Sequence, residues 1–176
     1  VTIIKLEDCQ PDIERAVFIA DDAVLIGDIV LEEDVSIWFK CVLRADIGRI
    51  RIGKRTNVQD MACLHMTDNL SHTTIGEDVT IGHAAIVHGA TIESGALIGM
   101  GSILLDNCVI GEESVIAAGS LVPPRMVIPK RSLVRGSPAK VIREATEEER
   151  AMGRAGALHY VENGKRYRKL LSKGAP

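Results

Sequence analysis

The chain is predicted to fold as an all-β solenoid, short parallel strands stacked in coils, with one α-helix packed along it at the C-terminal end. Three observations predict this. An aliphatic residue recurs every six positions over most of the chain, a period that is neither helical nor that of a plain amphipathic strand. Apolar residues make up 46% of the chain but aromatic residues only 3%, so the core is Ile, Val, Leu and Ala, the composition of stacked strands. Near residue 146 the period stops and a capping-box pattern, Thr146 followed by Glu149, opens a helix.

In chain order, the residues that open each hexad are Ile19, Leu25, Leu31, Ile37 and Leu43, then, after an interruption, Ile52, Val58 and Leu64. A loop through Asp68 to Thr74 follows, then Ile75, Ile81 and Val87. One residue is dropped before Ile92, Ile98, Leu104, Ile110, Ile116 and Val122. Four places after an opener the side chain is small or thin, as at Val79, Ala85, Ser102, Ser114 and Ser120. Each hexad therefore reads as one short strand plus a bend. Three hexads close a triangular coil, and successive coils stack about 4.8 Å apart. Pro123, Pro124 and Pro129 cannot donate to a ladder and are expected to end the solenoid. Residues 134–143 read as a connector. The division is 1–142 for the solenoid with its lead-in and connector, and 143–176 for the helix and tail. Gly153, Gly156 and Gly164 weaken that helix on its own, so packing along the solenoid must support it. Residues 172–176 are expected to fray.

With 176 residues this is one domain with room for a substantial core. A net charge of −3 gives no electrostatic reason to expect nucleic acid or anionic lipid as a partner. No apolar run reaches the length of a membrane span, and no signal-peptide pattern opens the chain, so a cytoplasmic protein is expected. Cys9, Cys41, Cys63 and Cys108 are scattered without a C-x-x-C pair and read as reduced core thiols.

Four of the five histidines, His65, His72, His83 and His88, fall within one short stretch of the repeat. Imidazole is an unusual choice for a structural repeat, and such a cluster suggests a metal site. The register sharpens this. His65 and His88 are second residues of hexads three apart, so they stack on one face, one coil apart, with Arg44 in the same column. His83 is the third residue of a hexad on the neighbouring face, in a column with Asp60 and, one coil on, Met100. Side chains on adjacent faces diverge, so His83 does not easily reach the other two within one chain, and a neighbouring chain is the expected source. Three imidazoles with an open position suit a catalytic zinc rather than a structural one, and Fe2+ or Co2+ fits the same ligands.

These residues carry a resemblance. Leu43-Arg44-Ala45-Asp46, Asn57-Val58-Gln59-Asp60, Leu64-His65, Ile81-Gly82-His83 and Val87-His88-Gly89 resemble the motifs of the γ-class carbonic anhydrases and their hexapeptide-repeat homologues. Ile98-Gly99-Met100-Gly101 and Gly136-Ser137-Pro138-Ala139-Lys140 add to the match, which covers about residues 10 to 170. The resemblance implies a left-handed β-helix and a homotrimer with metal between subunits, held by His65, His83 and His88. It implies reversible hydration of CO2 to bicarbonate by a metal-bound hydroxide, with Gln59 and Asp60 lining the substrate site. It also implies that Arg44 and Asp46 form a salt bridge between subunits, although a structural ion pair is an equal reading. Homologues often present a tyrosine from the final helix, here Tyr160. Two departures bear on proton export: Ile47 stands where a glutamate follows the Arg-x-Asp segment, and the acidic loop after the first histidine is cut to residues 66–72. His72 is the group in that loop that titrates near neutral pH and is the candidate relay.

Two other readings stay open. One is coenzyme-A-dependent acyl transfer or thioester hydrolysis, which needs a single basic histidine and to which the segment from Gly136 to Lys140 lends weak support. The other is a metal-binding trimer with little turnover, which the missing relay glutamates favour.

Overall fold

In the computed structural model, which describes residues 1–7 and 9–172, the openers from Leu25 to Val122 all point into one interior and are buried. They form three parallel ladders. Leu25, Leu43, Leu64, Val87, Leu104 and Val122 are stacked partners on the first face. Leu31, Ile52, Ile75, Ile92, Ile110 and Ile128 make the second. Ile19, Ile37, Val58, Ile81, Ile98, Ile116 and Val134 make the third. The architecture is thus the solenoid of hexapeptide repeats that the period predicts. Each buried aliphatic side chain contributes about 1.5–3 kcal/mol. Ile19 opens the lowest coil and is only half-buried, because it is covered on one side alone.

The bends are also built by rule. Three residues before most openers the backbone is left-handed, as at Asp34, Lys40, Arg55, Met61, Asp78, Ala84, Asn107 and Glu113. Glycine fills this place at Gly95, Gly101 and Gly119. For a residue with a Cβ the conformation costs about 1 kcal/mol. The same residue's N–H offsets it by donating to the coil below, Asp78 to Lys54 at 2.8 Å and Ala84 to Asp60 at 2.9 Å. The small residues two places before an opener fill the narrow inner corner: Ala62, Val79, Ala85, Ser102, Ser114 and Ser120 are buried. Cys41 and Cys108 occupy this position too, and burial pushes both thiols up to about 12. Cys63 is half-buried, and Cys9 is exposed, so the reading of it as a core thiol is corrected.

The upper end also corrects an expectation. The solenoid does not end at Pro123. Strand Val127–Ile128 pairs with Val109–Ile110, and Ser132–Gly136 pairs in parallel with Val115–Ile116, which puts Ile128 and Val134 in the core. In the coil beneath, Leu105 and Gly111 donate to the Val122 and Ile128 carbonyls. Pro123 and Pro129 hold the matching places in the last coil. Among the described residues no strand lies above them to accept a bond, so their missing N–H costs nothing. The presumed connector is this last strand followed by Ala139–Glu144, which pairs antiparallel and covers its edge.

Helix α1, Glu147–Leu171, starts in the predicted capping box. It packs down the third face. A Cβ at Gly153 would lie 3.1 Å from the Gly95 carbonyl oxygen, and one at Gly164 would lie 2.9 Å from Val17 Cγ1. The glycines that weaken the isolated helix are what let it lie flat on the sheet. Of the tail expected to fray, Ser172 instead caps the helix, its N–H donating to the Arg168 carbonyl at 3.0 Å, and residues 173–176 lie outside the described residues. Among the described residues no helix is long and apolar enough to cross a membrane.

Candidate metal centre

The repeat departs from six residues at one corner only, where the first face turns into the second. There Leu43 to Ile52 takes nine residues, Leu64 to Ile75 eleven, and Val87 to Ile92 five. The candidate residues Arg44, Asp46, His65, His72 and His88 all lie at or beside this corner. The nine-residue passage stays in the sheet as one long strand, Val42–Ile52, which serves both faces. The eleven-residue passage is a loop that reaches past the next coil and is tied to the one beyond it. Ser71 and Thr67 hydroxyls donate to the Asp106 carboxylate at 2.5 and 3.2 Å, and Asn107 Nδ2 donates to the Leu70 carbonyl at 3.3 Å.

His65 and His88 stack in register, as the hexad count predicts. Their facing nitrogens, His65 Nδ1 and His88 Nε2, are 3.3 Å apart. The outer nitrogen of each ring meets a carboxylate. His65 Nε2 is 3.1 Å from Asp46 Oδ1, and His88 Nδ1 is 3.2 Å from Asp106. A carboxylate only accepts, so each outer nitrogen donates to it, and in a neutral ring the inner nitrogen is left with a lone pair. Two lone pairs converge, an arrangement that a cation satisfies. Nitrogens bound tetrahedrally at about 2.0–2.1 Å from zinc lie about 3.3–3.4 Å apart, so the pair fits two ligands of one ion. Burial works to raise the pKa of both carboxyls. Arg44 and His65 outweigh it at Asp46, Ser71 and His88 outweigh it at Asp106, and both end below the usual range.

Within the chain, Arg44 pairs with Asp46 at 2.6 Å. The two are i and i+2 on one strand and so share a face. Arg44 Nη2 also lies 3.4 Å from His65 Nδ1, beside the lone pair.

His83 projects from the neighbouring face, 39% exposed, with Nδ1 held 2.8 Å from Asp60 Oδ2. Asp60 is itself fixed by the Phe39 N–H at 3.1 Å. His83 borders an apolar groove of about 400 Å³ with Gln59, Met100 and Met152 of α1. Gln59 is buried and donates to Asn57 Oδ1 at 3.1 Å. Tyr160 stands edge-on to Trp38, ring centres 5.0 Å apart, and burial, then the Asp60 charge, raises its pKa. Gln59, Asp60 and His83 thus form one group, with Tyr160 close enough to Asp60 to feel its charge but outside the groove, and Arg44, Asp46, His65 and His88 form another. His72 joins neither. Its Nδ1 accepts from the Arg49 N–H at 3.4 Å, in the wall of an open cavity of about 690 Å³ that it shares with Asp46. Among the described residues no three His, Cys, Asp or Glu side chains of one chain are placed to hold a metal ion. Asp106 is absent from the sequence reading. The register carried the signal, since Asp106 lies next to the His88 column one coil on.

Comparison with known proteins agrees with the repeat and divides on chemistry. Residues 89–124 match the bacterial transferase hexapeptide family, and residues 72–105 the hexapeptide repeat of succinyl-transferase. The chain is 47% identical to a carbonic anhydrase of Geobacillus kaustophilus, over 91% of this chain and 87% of that one. It is 52% identical to the uncharacterized transferase YtoA of Bacillus subtilis, over 96% and 98%. A crystal structure from Bacillus cereus, provisionally assigned as an acetyltransferase, is 43% identical and superposes with a TM-score of 0.92, over 96% of this chain and 98% of that one.

Proposed function

Since the chain belongs to the γ-class carbonic anhydrase family of hexapeptide-repeat proteins, we propose that it is an enzyme hydrating CO2 reversibly at a metal shared between subunits of a homotrimer. One observation carries this reading: the converging nitrogens of His65 and His88, each backed by a carboxylate, with His83 turned to the adjacent face. His65 and His88 of one chain and His83 of the next would hold the ion, zinc with Fe2+ or Co2+ as alternatives. Bound there, a divalent metal supplies the Lewis acidity that lets water ionise near neutral pH. The chain's own residues do the rest. Asp46, Asp106 and Asp60 fix the three rings and their tautomers. Gln59, anchored on Asn57, presents its amide to the groove, where it would orient bicarbonate. Exposed aliphatic residues Val42 and Ile86 flank the histidine column, and Met100 stands exposed on the His83 face, which suits one face packing on the other.

The test is subunit mixing. His83→Ala and His88→Ala trimers are each expected to be metal-poor and inactive in CO2 hydration by stopped flow. Unfolded and refolded together in equal amounts, they should recover about a quarter of the wild-type sites, because a mixed trimer has one interface where intact parts meet. Recovery of neither metal nor activity, with mixing confirmed, sinks the shared site.

A second reading has its own support. His83, oriented by Asp60 beside the groove, has the form of a general base for acyl transfer. The transferase names of the B. subtilis and B. cereus proteins favour it. It needs neither His65 nor His88, so acyl-coenzyme-A turnover that survives His65→Ala but not His83→Ala would select it.

A further inference from the structure

The charges of this chain are sorted along the solenoid axis. Residues 1–34 carry ten Asp or Glu and two Lys or Arg, whereas residues 121–143 carry six Lys or Arg and no acid. The fold puts these segments at opposite ends. Strands Thr2–Ile4 and Phe18–Ile19 begin the ladders, and Leu121–Val122, Val127–Ile128 and Ser132–Gly136 finish them. At the basic end, Arg135 and Lys140 stand directly opposite across the final strand pair, a repulsive placement. Arg131 and Arg143 are satisfied by Glu113 and Glu149. Among the described residues Arg125, Lys130, Arg135 and Lys140 form no salt bridge.

The helix shows that this gradient can organise a contact. It has acidic residues Glu147, Glu148 and Glu149 in its first turn, at the basic end, and Arg168 and Lys169 in its last. Lys165 and Arg168 line one cavity with Glu14, Glu33 and Asp34, and with Arg15 and Lys54, at the acidic end. The helix covers the third face only and leaves the other corners of both ends bare.

We infer that the basic end of one copy binds the acidic end of another, so that solenoids stack head to tail. The occupant of each end is a second copy because the two surfaces are opposite in sign and sit on the same axis. The contact is heterologous and does not close on itself, so it extends with concentration. It is electrostatic and exposed, so salt weakens it. It uses no residue of the candidate metal centre and stands whether or not the protein hydrates CO2.

Light scattering after gel filtration, at roughly 20 mM and roughly 500 mM NaCl, reads it directly. The wild type should at least double its mass at low salt and return to its basic assembly at high salt. Two variants complete the test: Arg125→Glu with Lys130→Glu and Lys140→Glu, and Asp12→Lys with Glu14→Lys and Asp21→Lys. Neither should associate alone, since the first leaves residues 121–143 with three cations against three acids and the second leaves residues 1–34 with seven acids against five cations. Mixed, they should associate with the wild-type salt dependence. If either triple variant fails to fold by circular dichroism, Lys130→Glu and Asp21→Lys serve the same comparison. A wild type of one mass at both salts overturns the inference, even if it takes up polyglutamate. So does association that survives in either variant or at high salt, or a mixture that stays apart.

Discussion

At Gly89 the backbone φ is +62°, and a Cβ there would run into the Ser71 hydroxyl and the Asp106 carboxylate. This is the five-residue passage, where the chain turns the corner one residue early and the coil closes onto the acid that holds His88. Gly89→Ala should therefore cost about 2–4 kcal/mol and push Asp106 away from the imidazole. Asp106→Asn keeps the volume but loses the charged acceptor, so metal affinity should fall about 10- to 100-fold with little change in melting temperature. Competition with a chromogenic chelator measures the first effect and a thermal scan the second. An unchanged affinity for Asp106→Asn would show that the carboxylate does not support a ligand. The sequence showed the histidines because imidazole stands out against an aliphatic repeat. It did not show Asp106, because an aspartate at a bend is ordinary and only contact with His88 gives it a role.

Helix α1 is held to the solenoid by aromatic packing and by one acid. The chain's single tryptophan, Trp38, packs edge-on against Tyr160 at 5.0 Å and Tyr167 at 5.2 Å, so its fluorescence reports docking of the helix. Glu113 binds Arg131 and Arg150 at 3.1 Å and Arg154 at 2.5 Å. Burial works against its ionisation, but the Arg131 hydrogen bond and the other guanidiniums hold it below the usual range. Glu149, hydrogen-bonded by Arg143, is pushed down from the usual 4.5 to about 2. Both carboxyls are lower in the folded state than in the unfolded chain. Their contribution is complete above the ordinary glutamate range and is lost as pH falls through the folded values. Trp38 emission should therefore begin to change below about pH 4.5 and continue toward pH 2, before the solenoid itself melts. Glu113→Gln should cost about 1–2 kcal/mol, less than a fully buried pair and more than a surface one. A Trp38 signal that is flat in acid would remove the acid's part in docking. The sequence disclosed the cap of this helix and the meaning of its glycines, but not Glu113, whose three arginines are brought together only when helix and coil pack.

Over the whole molecule, two corners of the triangle keep strict six-residue spacing and the third takes every irregularity. The strict corners set the register of every ladder above them, while the third is free to carry function. Deleting Asp78, which lies between Ile75 and Ile81, should misplace the strands that follow and abolish cooperative unfolding. Deleting Asn69 and Leu70 from the loop should leave the melting temperature within about 10 °C, since a few kcal/mol moves a domain of this size about 2–4 °C each. If both deletions melt alike, the division between corners is mistaken. Most of the fold was legible because a period of six, once found, fixes the position of each residue in a coil. The upper end was misread because proline was taken to break a ladder, and only the stacking shows that no partner lies above Pro123 and Pro129. Those two prolines have a consequence for life in a crowded solution. A stack of parallel strands is a template, and an open end invites further chains to add without limit. With donors removed at the rim and a reversed strand laid over one side, the final coil is a poor template for strand addition, so copies that meet there do so through charge and part again in salt.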